Sequence, residues 1–126
     1  MSVVYGIDGD NKCKRRVVAY SEILELSATT NVTNSGTGNS TVAIHNFAIP
    51  SDFTGDFYII ALECHSMDDD SVKKWLTGSN YGVSFSAERN IGSNNAIYIS
   101  AQIYDQNGYE YYAGEQVEIR IVLMKK

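Results

Sequence analysis

The chain is 126 residues long, the size of one domain, and 44% of its residues are hydrophobic and 20% charged. This composition excludes a disordered or a collagen-like chain. The net charge of −5 argues against nucleic acid as a partner, because phosphate binding needs concentrated Lys and Arg. No apolar run approaches the roughly 20 residues of a membrane span, so we expect no membrane contact and synthesis in the cytoplasm.

The N-terminal part of the sequence predicts short strands joined by polar turns. Residues 3–7 and 15–20 have strand composition, whereas residues 21–27 fit either a short helix or another strand. Residues 29–40 are rich in Asn, Gly, Ser and Thr, which predicts a mobile loop or a hairpin tip. A further strand is predicted over residues 41–49, and it ends at the single proline of the chain.

The middle of the chain predicts one unusual strand and one short helix. Residues 57–64 are apolar on both alternating sets of positions. Such a strand is either central in a sheet or covered by a partner. Residues 71–76 predict a short helix, because Asp70 can cap its N-terminus and the apolar residues of the segment share one face at helical spacing.

The second half of the chain shows the clearest strand pattern. Apolar residues alternate with others over residues 81–87, 97–103 and 117–123, as half-buried strands require. Turn residues lie at 94–95 and 106–108, and the Asn-Gly pair of the second turn favours a hairpin with antiparallel pairing of neighbours. The sequence therefore predicts an all-β chain: a single antiparallel two-sheet sandwich, jelly-roll or immunoglobulin-like, with one short helix.

Side chains that carry catalytic chemistry are sparse. His45 and His65 are the two imidazoles, and neither lies in a nucleophile or metal-binding motif. Cys13 and Cys64 have no metal-binding or redox spacing, so two free thiols are expected, with a disulfide between them as the alternative. We therefore predict that the protein is not an enzyme and has no catalytic residues.

A run of three aspartates at residues 68–70 allows two interpretations. Clustered carboxylates can bind calcium, but carboxylates also stabilise the N-terminus of a following helix. The second interpretation is favoured because it needs no ion. Accordingly, no metal and no other cofactor is expected.

Several tyrosines lie close together near the end of the chain: Tyr98, Tyr104, Tyr109, Tyr111 and Tyr112. The first two occupy the outward positions of their predicted strand and the other three follow the predicted turn. Together they predict one tyrosine-rich face, and exposed tyrosine is common at interfaces. Three interpretations are open, namely a subunit or partner contact, a sugar-stacking platform and cover by a second sheet, and the contact is favoured.

The N-terminal segment is basic on an otherwise acidic chain. Lys12, Lys14, Arg15 and Arg16 all lie within residues 1–16. Such a cluster can steer the N-terminus towards an acidic partner surface. A solvated charge cluster without a partner is the alternative.

Three short stretches near the N-terminus form a recognisable pattern: Tyr5-Gly6-Ile7-Asp8, Asn11-Lys12-Cys13-Lys14 and Val17-Val18. This pattern resembles the start of small structural proteins of tailed bacteriophage virions. The match covers residues 1–20, and Arg15-Arg16 departs from it, since an acidic residue is usual there. The rest of the chain resembles the β-sandwich modules of such particles, although that fold hosts many functions.

The resemblance implies a non-enzymatic capsid decoration, head-fibre or tail accessory protein located in the virion. Residues 1–20 would form an attachment arm and residues 21–126 a β-sandwich domain. The partners would be other virion proteins and further copies of the chain, with a trimer favoured. The docking side chains of the arm would be Tyr5, Ile7, Lys12, Lys14, Arg15 and Arg16.

The tyrosine-rich face supports an alternative function that does not depend on the resemblance. A carbohydrate-binding module uses aromatic side chains of this kind to hold sugars, and a host surface glycan would then be the partner. The two functions are compatible, because an accessory protein of a particle can hold a host through its sugars.

Overall fold

The computed structural model describes the backbone of residues 2–8, 11–67, 76–77 and 82–126, and the side chains of residues 12–67 and 82–126. Over these residues the chain is mostly strand. The strands are β1 (Ser2–Asp8), β2 (Asn11–Val18), β3 (Ser21–Asn31), β4 (Thr33–Asn34), β5 (Thr41–Ala48), β6 (Phe57–Ser66), β7 (Leu76–Thr77), β8 (Val83–Ile91), β9 (Ile97–Asp105) and β10 (Gln116–Lys125). A 3₁₀ turn at Ser93–Asn95 joins β8 to β9.

The strands form two sheets that pack face to face. The larger sheet has the order β1-β2-β3-β10-β6-β7, and the smaller sheet has the order β4-β5-β9-β8. Neighbouring strands in both sheets pair antiparallel. This confirms the predicted all-β two-sheet sandwich. β3 pairs with the last strand, β10, and β5 pairs with the last but one, β9, in the nested manner of a jelly roll.

The core lies between the sheets and is built by alternation of side chains along each strand. On β9, Ile99, Ala101 and Ile103 are buried and the residues between them are half-buried. The alternation predicted for the last two strands is therefore confirmed. The inner faces of β3 and β10 supply the buried residues Leu24, Leu26, Ala28, Val117, Ile119, Ile121 and Leu123.

The connection from β9 to β10 corrects one sequence prediction. The Asn-Gly turn after β9 does not form a hairpin, because β9 lies in the smaller sheet and β10 in the larger one. Residues 106–115 instead cross between the sheets and fold around Asp105, whose side chain is buried. Its carboxylate accepts hydrogen bonds of 2.9 to 3.1 Å from the backbone N–H groups of Asn107, Glu110 and Tyr111. β8 and β9, in contrast, pair as neighbours, as predicted.

The N-terminal segments take strand structure through sheet pairing. Residues 21–27 belong to β3, so the strand alternative is correct for them, and β3 extends into the loop predicted at 29–40. The turn between β2 and β3 consists of Ala19 and Tyr20, which have positive φ angles of 49° and 68°. β2 therefore ends before this two-residue turn and not at residue 20 as predicted.

β6 was predicted to be central or covered by a partner. In the described part of the chain it pairs with β10 along its length and with β7 at Glu63 and Cys64 alone. Tyr58, Ile59 and Ile60 are 51%, 41% and 48% exposed. Cover of this half of β6 by a partner stays a prediction.

β1 and β2 form a hairpin that extends the larger sheet beyond β3. The division into an arm over residues 1–20 and a sandwich over residues 21–126 stays a prediction. Several predicted features lie outside the described residues, namely the side chains of Tyr5 and Ile7, the aspartates at 68–70 and residues 71–75 of the predicted helix. Residue 76, the last of that predicted helix, is described and begins β7. Among the residues that the structure does describe, none belongs to a helix with the length and apolar character to cross a membrane.

Candidate functional site

The two outer surfaces of the sandwich differ in chemistry. Because side chains alternate along a strand, the register of each sheet defines which residues share its outer surface. On the larger sheet, the ionisable side chains at outward positions are Lys12, Lys14, Arg16, Glu25, Glu63, His65, Glu118 and Arg120, and this set is called the charged face. On the smaller sheet the outer surface is called the neutral face and consists of Val42, Ile44, Asn46, Ala48, Ser84, Ser86, Glu88, Asn90, Tyr98, Ser100, Gln102 and Tyr104. Glu88 is the single charged member of that second set.

Ion pairs fix the positions of several groups on the charged face. Nη2 of Arg120 lies 2.8 Å from each carboxylate oxygen of Glu63 on the adjacent strand. Nη1 of Arg16 lies 3.2 Å from Oε2 of Glu25. Pairs with this degree of exposure stabilise a fold by at most about 1 kcal/mol each, so their main effect is to neutralise and orient the two arginines.

Lys12 and Lys14 are the exposed cations of the charged face. They occupy alternate positions on β2, on either side of the buried Cys13, and neither forms an ion pair with a described residue. Ser27 lies between Lys12 and Arg120 in the register of the sheet, and its short side chain leaves a depression there. The resulting groove has a volume of about 260 Å³ and is lined by Lys12, Cys13, Lys14, Glu25, Leu26, Ser27, Glu118 and Arg120.

Arg15, which the sequence grouped with Lys12, Lys14 and Arg16 as a docking side chain, is largely buried, unlike the two lysines. Its side chain is 12% exposed, and its Nη1 lies 2.6 Å from Oδ2 of Asp52. The guanidinium also lies 5.5 Å from the ring centroid of Phe53, and its hydrogen bond lowers the pKa of Asp52. Alternation along β2 explains this burial, because Arg15 occupies the inward position between Lys14 and Arg16.

The two histidines occupy different environments. Nδ1 of His65 lies 2.9 Å from the carbonyl oxygen of Ser66, and Nε2 lies 3.0 Å from Oε1 of Glu118. His45 packs edge-on against Phe47 with ring centroids 4.6 Å apart, and burial lowers its pKa. Over the residues that the structure describes, no group of three His, Cys, Asp or Glu side chains is arranged to hold a metal ion.

The structure separates Tyr111 from the other four tyrosines that the sequence placed on one face. Tyr98 and Tyr104 do point outward on β9, but they are six residues apart, or about 20 Å along a strand. Tyr109 and Tyr112 are 74% and 59% exposed in the connection that follows β9. Tyr111 is 3% exposed and corrects the prediction, because Asp105 binds its backbone and its hydroxyl points to the carbonyl oxygen of Cys64 at 3.5 Å.

The neutral face holds a second depression, beside Tyr98. It has a volume of about 270 Å³ and is lined by Asn46, Asn90, Ile91, Gly92 and Tyr98. Sequence reasoning identified Tyr98 alone. Alternation along β5 and β8 could have placed the two asparagines on the outer surface, but only the sheet register shows that they flank the same ring.

No match is found when the chain is compared with protein-family models, curated proteins and solved structures. The geometry of the two faces therefore carries the functional argument.

Proposed function

We propose that the protein is a non-enzymatic structural protein of a tailed bacteriophage particle, of the capsid decoration, head-fibre or tail accessory kind. The observation that carries the proposal is the placement of Lys12 and Lys14. Both lysines belong to the stretch that resembles virion proteins, and both are exposed on a strand that is paired into the sheet. A docking surface built on a strand is ordered before it binds, which lowers the entropic cost of association.

The charges of this face define the partner. Arg16 and Arg120 are each paired with a glutamate, so the lysines of β2 provide the positive charge that is free to act on another molecule. An acidic surface on another virion protein is complementary to them, and such complementarity raises the rate of association and its specificity.

Charge reversal tests the proposal in the full chain. The double variant Lys12→Glu/Lys14→Glu should keep the fold, because both side chains are exposed, and should fail to enter particles assembled from the complete set of virion proteins. Copies per particle would be counted by quantitative mass spectrometry. Ser86→Glu, which adds a negative charge at an exposed position of the smaller sheet, is the control and should be incorporated normally. Normal incorporation of the double variant would refute docking through β2.

Deletion of residues 1–16 is a less direct test than point substitution. Cys13 is 7% exposed and belongs to the core, and Arg15 binds Asp52. The deletion would also remove most of β2 from its pairing with β3. Loss of incorporation after deletion would therefore not distinguish a missing contact from a damaged fold.

We also propose that the chain forms a closed homo-oligomer, with a trimer favoured. Support comes from β6, where Tyr58, Ile59 and Ile60 are about half exposed without a charged neighbour in the strand from Phe57 to Leu62. Native mass spectrometry would show an oligomer for the natural sequence and a monomer for Ile60→Asp. The control is Ile44→Asp, since Ile44 is 47% exposed and Ile60 48%. A monomeric natural protein would refute this part of the proposal.

Carbohydrate binding is a second candidate function, favoured by the composition of the neutral face. This face presents hydroxyl, carboxamide and phenol groups with one carboxylate, Glu88. Such groups form hydrogen bonds with hydroxyls without a high cost of removing charge from water. Binding of neutral oligosaccharides by the purified chain tests this candidate, and a panel without any binding would refute it.

A further inference from the structure

The pocket on the neutral face lies where β5, β9 and β8 run side by side. Asn90 on β8 is directly opposite Tyr98 on β9, and Asn46 on β5 is opposite Ser100, the next outward residue of β9. The strands on both sides of β9 therefore each place a carboxamide beside the Tyr98 ring. The three side chains come from ordered strands, so their relative positions are set by the sheet.

The carboxamides of this pocket are available to a ligand. Neither Asn46 nor Asn90 has a side-chain hydrogen bond to another described residue, and both side chains are exposed. A carboxamide carries two N–H donors and an acceptor oxygen. A sugar hydroxyl is likewise a donor and an acceptor, so two carboxamides can bind neighbouring hydroxyls of one ring.

Tyr98 provides an apolar surface in a fixed position. A Cβ atom at Gly92 would lie 2.7 Å from Cε2 and 3.2 Å from Cδ2 of Tyr98. The ring therefore lies directly against the backbone of Gly92, and a larger residue at that position would displace it. Ile91, which is 69% exposed, adds further apolar surface at the edge of the pocket.

The charges near the pocket disfavour an anionic ligand. Glu88, the single charged residue of the neutral face, is paired with Ser100 in the row next to Tyr98 and Asn90. Arg89 occupies the inward position and its Nη1 lies 3.4 Å from Oδ1 of Asp56. The residues that line the pocket therefore include no cation that would recognise a carboxylate or a sulfate.

We infer that this pocket binds the neutral terminal pyranose of a glycan. Tyr98 contacts the apolar face of the sugar ring, and Asn46 and Asn90 form hydrogen bonds with its hydroxyls. The inference rests on carbohydrate binding as the second candidate function and assigns that function to one site.

The test is an NMR titration of the full-length chain that follows backbone and side-chain amide signals. The probes are the methyl glycosides of galactose, glucose, mannose and N-acetylglucosamine, with the methyl glycoside of sialic acid as the anionic probe. At least one neutral glycoside should shift the side-chain amide signals of Asn46 and Asn90. The sialic acid glycoside should leave them unchanged.

Variants of Tyr98 and Asn90, compared with a control variant on β9, locate the site. Tyr98→Ser should weaken binding roughly fivefold to tenfold, in line with loss of an aromatic contact, and Asn90→Ala should weaken it too. Tyr104→Ser is the matched control, because Tyr104 has the same outward orientation at the far end of β9, and it should bind like the natural chain.

Two other results would overturn the inference in different ways. Sugar-induced shifts that are confined to the connection around Tyr109 and Tyr112, and that survive Tyr98→Ser, would exclude the pocket while leaving carbohydrate binding intact. An absence of shifts with every glycoside would refute the pocket, whereas the second candidate function would be refuted only if the panel of neutral oligosaccharides also failed to bind.

Discussion

The carboxylate of Asp105 accepts a hydrogen bond of 3.0 Å from the backbone N–H of Tyr111. The same carboxylate binds two further N–H groups of the connection between β9 and β10, and Asp105 is 1% exposed. This single side chain thus satisfies backbone donors that a hairpin would have paired with a neighbouring strand. It directs the chain across to the larger sheet and turns Tyr111 into the interior, away from the exposed tyrosines on either side.

Asp105→Asn should destabilise the protein although it is nearly isosteric. Both carboxylate oxygens accept hydrogen bonds from backbone N–H groups. The amide nitrogen of asparagine, in place of either oxygen, would be a donor facing another donor, and that hydrogen bond would be lost. We expect a loss of about 1 to 3 kcal/mol in the free energy of unfolding, measured by urea denaturation. Asp56→Asn is the control, since Asp56 is exposed and makes one surface pair with Arg89. Equal stabilities of the two variants would show that Asp105 does not anchor the connection.

Neighbouring substitutions on β9 test the orientation of its side chains. Ile99 is fully buried and Ser100 is half-buried on the outer surface. Ile99→Asp should cost roughly 3 to 5 kcal/mol because it buries an unpaired charge, whereas Ser100→Asp should cost far less. Thermal melting followed by circular dichroism would distinguish them. Similar melting of Ile99→Asp and the natural chain would mean that the strand is oriented the other way.

The sequence predicted the strands better than their arrangement, for a physical reason. Alternation of apolar residues is local, so it identified β9 and β10 and their buried sides. Strand pairing is set by contacts between distant residues. The Asn-Gly turn after β9 favoured a hairpin, but no local pattern showed that the preceding Asp105 would be buried and bind the turn.

The same limit applies to the candidate sites. The sequence could not distinguish Arg15 from the basic residues around it, because Asp52, to which Arg15 binds, lies 37 positions away along the chain. No local sequence pattern indicated that Asn46 and Asn90 belong to a binding site. They become neighbours of Tyr98 because β5 and β8 both pair with β9. Lys12 and Lys14, in contrast, lie where alternation along β2 places them, and sequence reasoning selected them.

Gly92→Ala should alter the sugar pocket without changing its polar groups. The added Cβ would meet the Tyr98 ring at 2.7 Å, so the ring must move off the backbone. Because Gly92 has φ of −97°, alanine is tolerated by the backbone, and the free energy of unfolding should fall by no more than about 1 kcal/mol. Binding of neutral glycosides, measured by the NMR titration, should weaken as we expect for Tyr98→Ser. Unchanged affinity would show that the position of the ring does not matter for binding.

Both cysteine thiols should be inert in the folded protein. Cys13 and Cys64 are free and buried, and burial raises the pKa of both thiols, that of Cys64 to about 12. Since the thiolate is the reactive form, a thiol reagent such as Ellman's reagent at pH 8 should label neither residue until urea unfolds the chain. Two thiols should then react. Rapid labelling of the folded chain would contradict their burial, and an absence of labelling in urea would indicate a disulfide.

The burial of the Tyr111 phenol and the Cys64 thiol predicts a loss of stability at alkaline pH. Burial raises the pKa of the Tyr111 phenol from its ordinary value of 10.0 and that of Cys64 from 9.0. The unfolded chain therefore releases these protons at lower pH than the folded chain does. The free energy of unfolding must fall as pH rises above 9 for the thiol and above 10 for the phenol.

Tyr111→Phe isolates the phenol from the other titrating groups. At neutral pH the variant should lose about 1 kcal/mol, because a single hydrogen bond is removed. Above pH 10, where the unfolded phenol ionises, its stability should fall less steeply with pH than that of the natural chain, by up to about 1.4 kcal/mol per pH unit. Urea denaturation at a series of pH values measures both slopes. Tyr109→Phe, which removes an exposed hydroxyl, is the control variant. If the free energy of unfolding of Tyr111→Phe and of the natural chain fell with pH at the same rate, the Tyr111 phenol would ionise equally readily in the folded and the unfolded chain. Such a result would contradict its burial.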